Sequence, residues 1–243
     1  MTDEKFLDKK MDRREFLKKA GIGGAGLALG LSGASAFFAN QDSSSKKAYD
    51  GDEDISFYGK HQAGITTAMQ KACYLVVLDL HTTDKKEVIQ LFKDWTDYSS
   101  KLVDGELVKK DGSNALLPPS DTGETVGLNP YRLTLTFGVS ISFLKKMGLE
   151  KKRPQAFREF PPFPKEQLQD KYTGGDIVIQ ACADDEQVAF HAVRNLVRKA
   201  RNTVTMKWSQ SGFAAIGDRL ATPRNLFGFK DGSANVTKET DFD

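Results

Sequence analysis

Residues 174–208, GGDIVIQACADDEQVAFHAVRNLVRKARNTVTMKW, give the clearest indication of the fold. The opening of this stretch, 174–183, is an apolar run of strand length. Residues 184–201 carry apolar side chains at helical spacing, with acidic residues in the first turn and basic ones in the last, as the helix dipole favours. TVTMKW, at 203–208, has strand character again. The stretch therefore predicts a strand, a helix and a strand in succession.

A second unit of the same kind precedes it. ACYLVVLDLH, residues 72–81, predicts a strand rich in Val and Leu. Residues 85–102 predict an amphipathic helix, because their apolar side chains recur three and four positions apart. YRLTLTFGV, at 131–139, alternates apolar and polar residues and predicts a half-buried antiparallel strand. Residues 104–130 are expected to be loop, and 153–167 hold too much proline for regular structure.

The order of these segments is β-α-β-β-α-β. It predicts an α+β fold of the ferredoxin-like kind, with an antiparallel four-stranded sheet and both helices on one face. The other face is then left to be buried by a ligand, a second sheet or a partner. In this topology the first and third strands are neighbours.

Charge is distributed unevenly along the chain. Residues 1–39 carry seven Lys and Arg against five Asp and Glu, while the remainder carries 28 of each. The body is therefore neutral, and nothing in its charge supports sequence-independent binding of nucleic acid.

The N-terminus has the features of an export signal. Arg13 and Arg14 precede AGIGGAGLALGLSGASAFFA, twenty uncharged residues of which six are glycine. So weak a hydrophobic stretch is a poor membrane anchor, and together with the arginine pair it resembles a twin-arginine signal. The alternative is an uncleaved N-terminal anchor. We expect cleavage after Ala36 or Ala39, a polar linker over 40–54, and a protein of the periplasm, cell envelope or extracellular space.

Two cysteines, Cys73 and Cys182, lie in the first and third predicted strands. No Cys or His cluster has the spacing of a metal site. The default expectation for both is a buried, unreactive thiol. If their strands are neighbours, a disulfide linked to export is the alternative.

GFKDGSAN, residues 228–235, places one carboxylate, Asp231, between two glycines and behind two phenylalanines. A β-turn explains this, since Asp-Gly is a common turn dipeptide. The alternative is an acid at the wall of a cofactor pocket, where glycines let the backbone approach a flat ligand.

Several stretches together are similar to one family, the dye-decolourising peroxidases. With the N-terminal leader, the chain resembles the exported deferrochelatase/peroxidase branch from about residue 55 onward. The motif G-x-x-D-G is the most specific element. The stretches that carry the resemblance are YGKHQAGI (58–65), LTLTFGVS (133–140), GGDIVIQACADD (174–185), FHAVRNLVR (190–198) and PRNLFGFKDGSAN (223–235).

This resemblance implies two ferredoxin-like halves with haem b between them. The first half would occupy 55–215, and 216–243 would connect to the second. Asp231 would be the distal acid that moves a proton between the oxygens of hydrogen peroxide, and Gly232, Ser233 and Ala234 would lie against the haem. Ser233 stands where threonine is more usual. Homo-oligomers, the twin-arginine machinery and an iron-uptake permease are the implied partners.

The family's proximal iron ligand and distal arginine are not matched by this sequence. We expect the proximal histidine downstream of Asp243, so the chain is either a fragment or a truncated product, inactive alone. His191 is expected on the exposed side of its helix and His81 at the surface; His61 matches a family position that is not the axial one. Neither Arg219 nor Arg224 matches the distal arginine.

Three functions follow in order of preference. The first is a haem peroxidase or deferrochelatase that reduces peroxide, or releases iron from haem with the porphyrin preserved, in iron acquisition. The second is a haem or porphyrin carrier without turnover. The third is an exported domain that only dimerises through its uncovered sheet face.

Overall fold

The computed structural model describes residues 55–109, 118–214 and 224–230. The predicted signal at 1–39 and linker at 40–54 lie outside these residues. Seven main elements follow one another along the chain: β1 (Ala72–Leu80), α1 (Lys85–Val103), β2 (Thr134–Val139), α2 (Ile141–Lys146), β3 (Ile177–Ala183), α3 (Glu186–Ala200) and β4 (Val204–Phe213). Short 3₁₀ turns occupy Glu150–Lys152 and Asp170–Tyr172.

The four strands form one antiparallel sheet in the order β2-β3-β1-β4. This confirms the predicted α+β class and places β1 beside β3. Each of the long helices packs on the same side of the sheet, because each follows a strand and returns across it.

Aspartate caps determine where the long helices begin. Asp84 accepts a hydrogen bond from the Lys86 amide, and Asp185 accepts from the amides of Gln187 and Val188. These caps satisfy amides that have no partner within the helix. α3 therefore begins two residues after the predicted start at 184.

The second strand begins later than its alternating sequence predicts. Tyr131 and Arg132 have φ of 47° and 55°, which is left-handed backbone that cannot continue a strand. The Leu133 amide donates to the Pro130 carbonyl and closes a turn there. The strand starts at Thr134 because this turn precedes it. The short helix α2, capped by Ser140, was not predicted.

The core lies between the sheet and the helices. Alternate residues of each strand face it, and Leu78, Leu135 and Ile179 are almost completely buried. Trp95 on α1 is buried against them, and its indole Nε1 donates to the Leu196 carbonyl on α3 at 2.9 Å. This bond satisfies the indole N–H and joins the two helices. Within the described ranges, no helix is long and apolar enough to cross a membrane.

Candidate functional site

The sheet face turned away from the helices is the candidate site, and we call it the open face. Strand register places its side chains in three rows across β2, β3, β1 and β4. The rows are Thr134, Cys182, Cys73 and Gly212; Thr136, Gln180, Leu75 and Gln210; and Gly138, Val178, Val77 and Trp208.

Loop segments cover the β2 side of the open face. The Gln70 amide donates to Thr134 Oγ1 at 2.9 Å and to the Cys182 carbonyl at 3.3 Å. The Thr136 hydroxyl donates to the Ala63 carbonyl at 2.9 Å. Gly64 has φ of 98°, and a Cβ there would lie 2.2 Å from Thr136 Oγ1, so only glycine fits this approach.

The β1 and β4 side of the face is more accessible. Gly212 has open space where a Cβ would stand, and Gln210 is exposed. Trp208 is half-buried, and its indole Nε1 is buried without a hydrogen-bond partner among the described residues. A buried indole N–H usually has a partner, so this atom is a feature that a ligand or a second layer would satisfy.

Both cysteines lie on this face. Cys73 and Cys182 are half-buried free thiols, rather than the fully buried thiols of the default expectation. They are less buried because their alternation along the strands turns them away from the helices.

The predicted acid Asp231 and the backbone residues Gly232, Ser233 and Ala234 lie outside the described residues, as does Arg219. The turn before them is described. Asn225 Oδ1 accepts from the amides of Phe227 and Phe229, and Arg224 donates to the Gly228 carbonyl at 2.7 Å. This turn exposes three apolar side chains: Leu226, Phe227 and Phe229.

His61 and His81 are both exposed, as was expected of His81. His61 is exposed in the G-K-H-Q-A-G segment. His81, at the end of β1, is exposed and hydrogen-bonds through Nε2 to Thr205 Oγ1. In the parts of the chain that are described, no group of three or more His, Cys, Asp or Glu side chains could hold a metal ion.

The expectation for His191 was wrong. Its side chain is 2% exposed, with Nδ1 2.7 Å from Glu124 Oε2 and Nε2 3.6 Å from Asp121 Oδ1. The residues from 118 to 128 lie across α3 and cover the side of the helix that its own periodicity predicts to be polar. Asn195, one turn on, donates to Thr122 Oγ1 at 2.8 Å. His191 and Asn195 are four residues apart and so share one side of the helix, and this spacing was the sequence signal that could have indicated a buried polar network there.

Glu124 is the ionised partner in this network. Burial raises the pKa of Glu124, but hydrogen bonds from Thr122 and His191 outweigh it and lower the pKa to about 2. Arg194 also pairs with the carboxylate. The network attaches the loop to α3 and belongs to the helix side, away from the open face.

A second buried carboxylate, Asp176, joins three elements just before β3. It is 2% exposed and accepts from Lys146 Nζ at 2.6 Å, Ser142 Oγ at 2.6 Å and the Leu80 amide at 2.7 Å. Burial would raise the pKa of Asp176, yet these hydrogen bonds lower it below its ordinary value. No local sequence pattern marks Asp176, because its partners are distant in sequence.

Comparison with known proteins gives a consistent result. The family described as Dyp-type peroxidase, N-terminal, matches residues 62–214. A deferrochelatase of Yersinia pseudotuberculosis is 36% identical over 186 residues, which is 74% of this chain and 42% of that protein. A deferrochelatase of Escherichia coli K12 is 34% identical over 195 residues, covering 78% and 46%.

Solved structures agree in fold. A DyP-type peroxidase from Streptomyces coelicolor has 37% identity and a TM-score of 0.68, with 78% of this chain and 50% of that one covered. Ferric DtpA from Streptomyces lividans has 38% identity and a TM-score of 0.67, with 77% and 50% covered. The chain thus spans about half the length of the relatives it matches.

Proposed function

We propose that this chain, which belongs to the Dyp-type peroxidase family, forms one ferredoxin-like half of a haem b-dependent peroxidase or deferrochelatase. Hydrogen peroxide, or haem whose iron is released with the porphyrin preserved, would be its substrate in iron acquisition. The relatives named deferrochelatase and DyP-type peroxidase support this proposal. The observation that carries it is the open face, which has open space beside Gly212 and, on Trp208, an indole N–H without a partner among the described residues.

The described residues fit the wall of a haem site, and the buried His191 faces away from it. Leu75 gives the face an apolar centre, and Gly212 allows a flat group to approach the backbone. His191 lies on the helix side with its Nδ1 bonded to Glu124, and His81 is bonded to Thr205. The chemistry that haem supplies when bound is electron exchange with peroxide.

The residues after the described turn would supply the proton chemistry. We assign to the Asp231 carboxylate the transfer of a proton from one oxygen of hydrogen peroxide to the other. An aspartate has an ordinary pKa of about 3.9, so it is available as a base in mildly acid solution. Dye oxidation should therefore have an acidic optimum. The backbone of Gly232, Ser233 and Ala234 would pack on the cofactor.

Two neighbouring residues of β4 allow a sharp test. Gly212 lies on the open face with space around it, while Ser211 pairs with Tyr74 and lies on the helix side. The full chain is titrated with ferric haem and followed by its Soret absorption. Gly212→Phe should weaken saturable binding by about tenfold or more, because the ring occupies the face. Ser211→Phe, the matched control, should bind like the unmodified chain.

Equal binding by both variants, or no saturable binding by the unmodified chain, would refute the open face as a haem site. Peroxide-dependent dye oxidation by haem-loaded chain then separates enzyme from carrier. Asp231→Asn should abolish turnover and leave haem binding unchanged, with Asp218→Asn as the control. Turnover that is present in the unmodified chain and lost in Asp231→Asn would exclude a carrier.

A further inference from the structure

Cys73 and Cys182 are the two cysteines of the sequence, and the fold brings them face to face. They are 109 positions apart in the chain, since one lies in β1 and the other in β3. The register of these antiparallel strands pairs them directly. Both side chains project onto the open face, where neither is fully buried.

The pair occupies a non-hydrogen-bonded site of the ladder. The Ala214 amide donates to the Lys71 carbonyl at 2.8 Å, so that pair of β1 and β4 is hydrogen-bonded. Hydrogen-bonded pairs recur every second residue, and Cys73 with Gly212 is the next one. The backbone of Cys73 therefore bonds towards β4, and none of its ladder bonds runs towards Cys182.

This site suits a disulfide. Directly opposed residues of a non-hydrogen-bonded pair have Cα atoms about 4.5 Å apart and closely spaced side chains. Disulfides span Cα separations of roughly 4.4–6.8 Å.

The two thiols differ in their surroundings. The hydrogen bond from Cys182 outweighs burial and lowers the pKa of Cys73 to about 7, while the same contact and burial raise the pKa of Cys182. Cys73 also has the bare Gly212 beside it, with open space where a Cβ would stand. Cys182 is flanked by the buried Thr134. Cys73 is thus the accessible nucleophile and Cys182 the resolving thiol.

We propose that Cys73 and Cys182 form a redox-active pair, which hydrogen peroxide oxidises to a disulfide across the open face. The Cys73 thiolate attacks one peroxide oxygen, the O–O bond breaks, and the leaving hydroxide takes up a proton to become water. The resulting sulfenic acid on Cys73 is attacked by the Cys182 sulfur, the S–O bond breaks, and a second water leaves. Two thiols lose two electrons and two protons, and one peroxide becomes two waters.

The bond would join the two central strands of the sheet. The disulfide would also replace two thiols by one fixed crosslink in the row of the open face that runs from Thr134 to Gly212. The proposal does not depend on haem, because every group that it uses is in this chain or is peroxide.

The test uses the full chain, reduced and then freed of reductant. After treatment with hydrogen peroxide, intact mass should fall by two hydrogens and both thiols should become inert to alkylation. A non-reducing peptide map should show the segments around Cys73 and Cys182 linked. Cys182→Ser should accumulate a sulfenic acid on Cys73 that dimedone traps. Cys73→Ser should leave Cys182 reduced over the same time.

A matched control tests whether linking depends on the kind of strand pair that the two cysteines occupy. In Cys182→Ser/Gly212→Cys the new cysteine opposes Cys73 at a hydrogen-bonded site, where the paired side chains lie farther apart than at a non-hydrogen-bonded one, and linking should be slower. Oxygen addition without a crosslink in the unmodified chain, crosslinks only between chains, or oxidation of Cys73→Ser at the unmodified rate would each overturn the proposal.

Discussion

His191 Nδ1 on α3 lies 2.7 Å from Glu124 Oε2 in the loop that crosses the helix. This contact buries the imidazole and places a carboxylate, 18% exposed, against it. The loop is therefore held by a charge-assisted hydrogen bond rather than by apolar packing alone.

The low pKa of Glu124 predicts an acid-labile contribution to stability. Its folded pKa of about 2 lies below the ordinary glutamate value of 4.5. A group with a depressed folded pKa contributes stability that is full above the unfolded pKa and is lost as the pH falls towards the folded one. Glu124→Gln should lower the free energy of unfolding at pH 7. The free energy of unfolding of the variant should also fall less than that of the unmodified protein as the pH drops from about 4.5 to 2. Urea unfolding at several pH values measures both effects; parallel pH curves for the two proteins would contradict the assignment.

Removing the imidazole should leave its partners unsatisfied. His191→Ala deletes the group that contacts Glu124 and lies near the buried Asp121. We expect a loss of roughly 2–4 kcal/mol in the free energy of unfolding, from lost packing and from carboxylates without their partner. His81→Ala, at an exposed site, should cost less than about 1 kcal/mol. Equal losses for the two variants in chemical denaturation would show that the network has no energetic role.

Asp176 should contribute far more than a surface ion pair of the same length. Asp176→Asn removes the charge that accepts from Lys146 Nζ at 2.6 Å and from the Leu80 amide, and should cost roughly 1.5–3 kcal/mol. Asp97→Asn breaks the pair with Lys101 at 2.7 Å, where the carboxylate is 58% exposed, and should cost less than about 1 kcal/mol. Thermal unfolding of both variants compares them; a cost for Asp97→Asn that matched or exceeded that of Asp176→Asn would contradict this prediction.

Gly175 should tolerate no side chain. Its φ is 115°, and a Cβ there would lie 2.2 Å from Val77 Cγ1 on the open face. Gly127 has φ of 82° with nothing within 4 Å of the same position. Gly127→Ala should cost roughly 1–2 kcal/mol from left-handed strain, and Gly175→Ala a further 1–3 kcal/mol or so from overpacking. The difference between the two unfolding free energies measures the close approach, and a difference near zero would exclude it.

The export proposal rests on Arg13 and Arg14. Replacing both by Lys keeps the charge but removes the pair that the twin-arginine machinery recognises. Export of the full chain, followed by cell fractionation and immunoblotting, should then be lost. Lys9→Arg/Lys10→Arg, which changes basic residues outside the pair, should be exported normally. Unchanged export of the Lys-Lys variant would show that the leader is of another kind.

Much of the fold could be predicted because its signals are local. The three- and four-residue spacing of Val88, Leu91 and Trp95 places one stripe of α1 on the core, and all three are buried. The order of strands and helices then allowed few topologies, and the predicted neighbours β1 and β3 are confirmed. The turn at Tyr131 and Arg132 was missed, because left-handed backbone at non-glycine residues leaves little trace in a sequence.

The element order, the α+β class, the family resemblance and the neutral charge of the body can all be read from the sequence, since periodicity, composition and motif are properties of consecutive residues. The burial of His191 could be seen only in the folded chain, because the loop covering it comes from 67 positions earlier. The same holds for the meeting of Cys73 and Cys182 at a non-hydrogen-bonded site. Register depends on which backbone groups pair between strands, and that choice is made when the sheet assembles rather than within either segment.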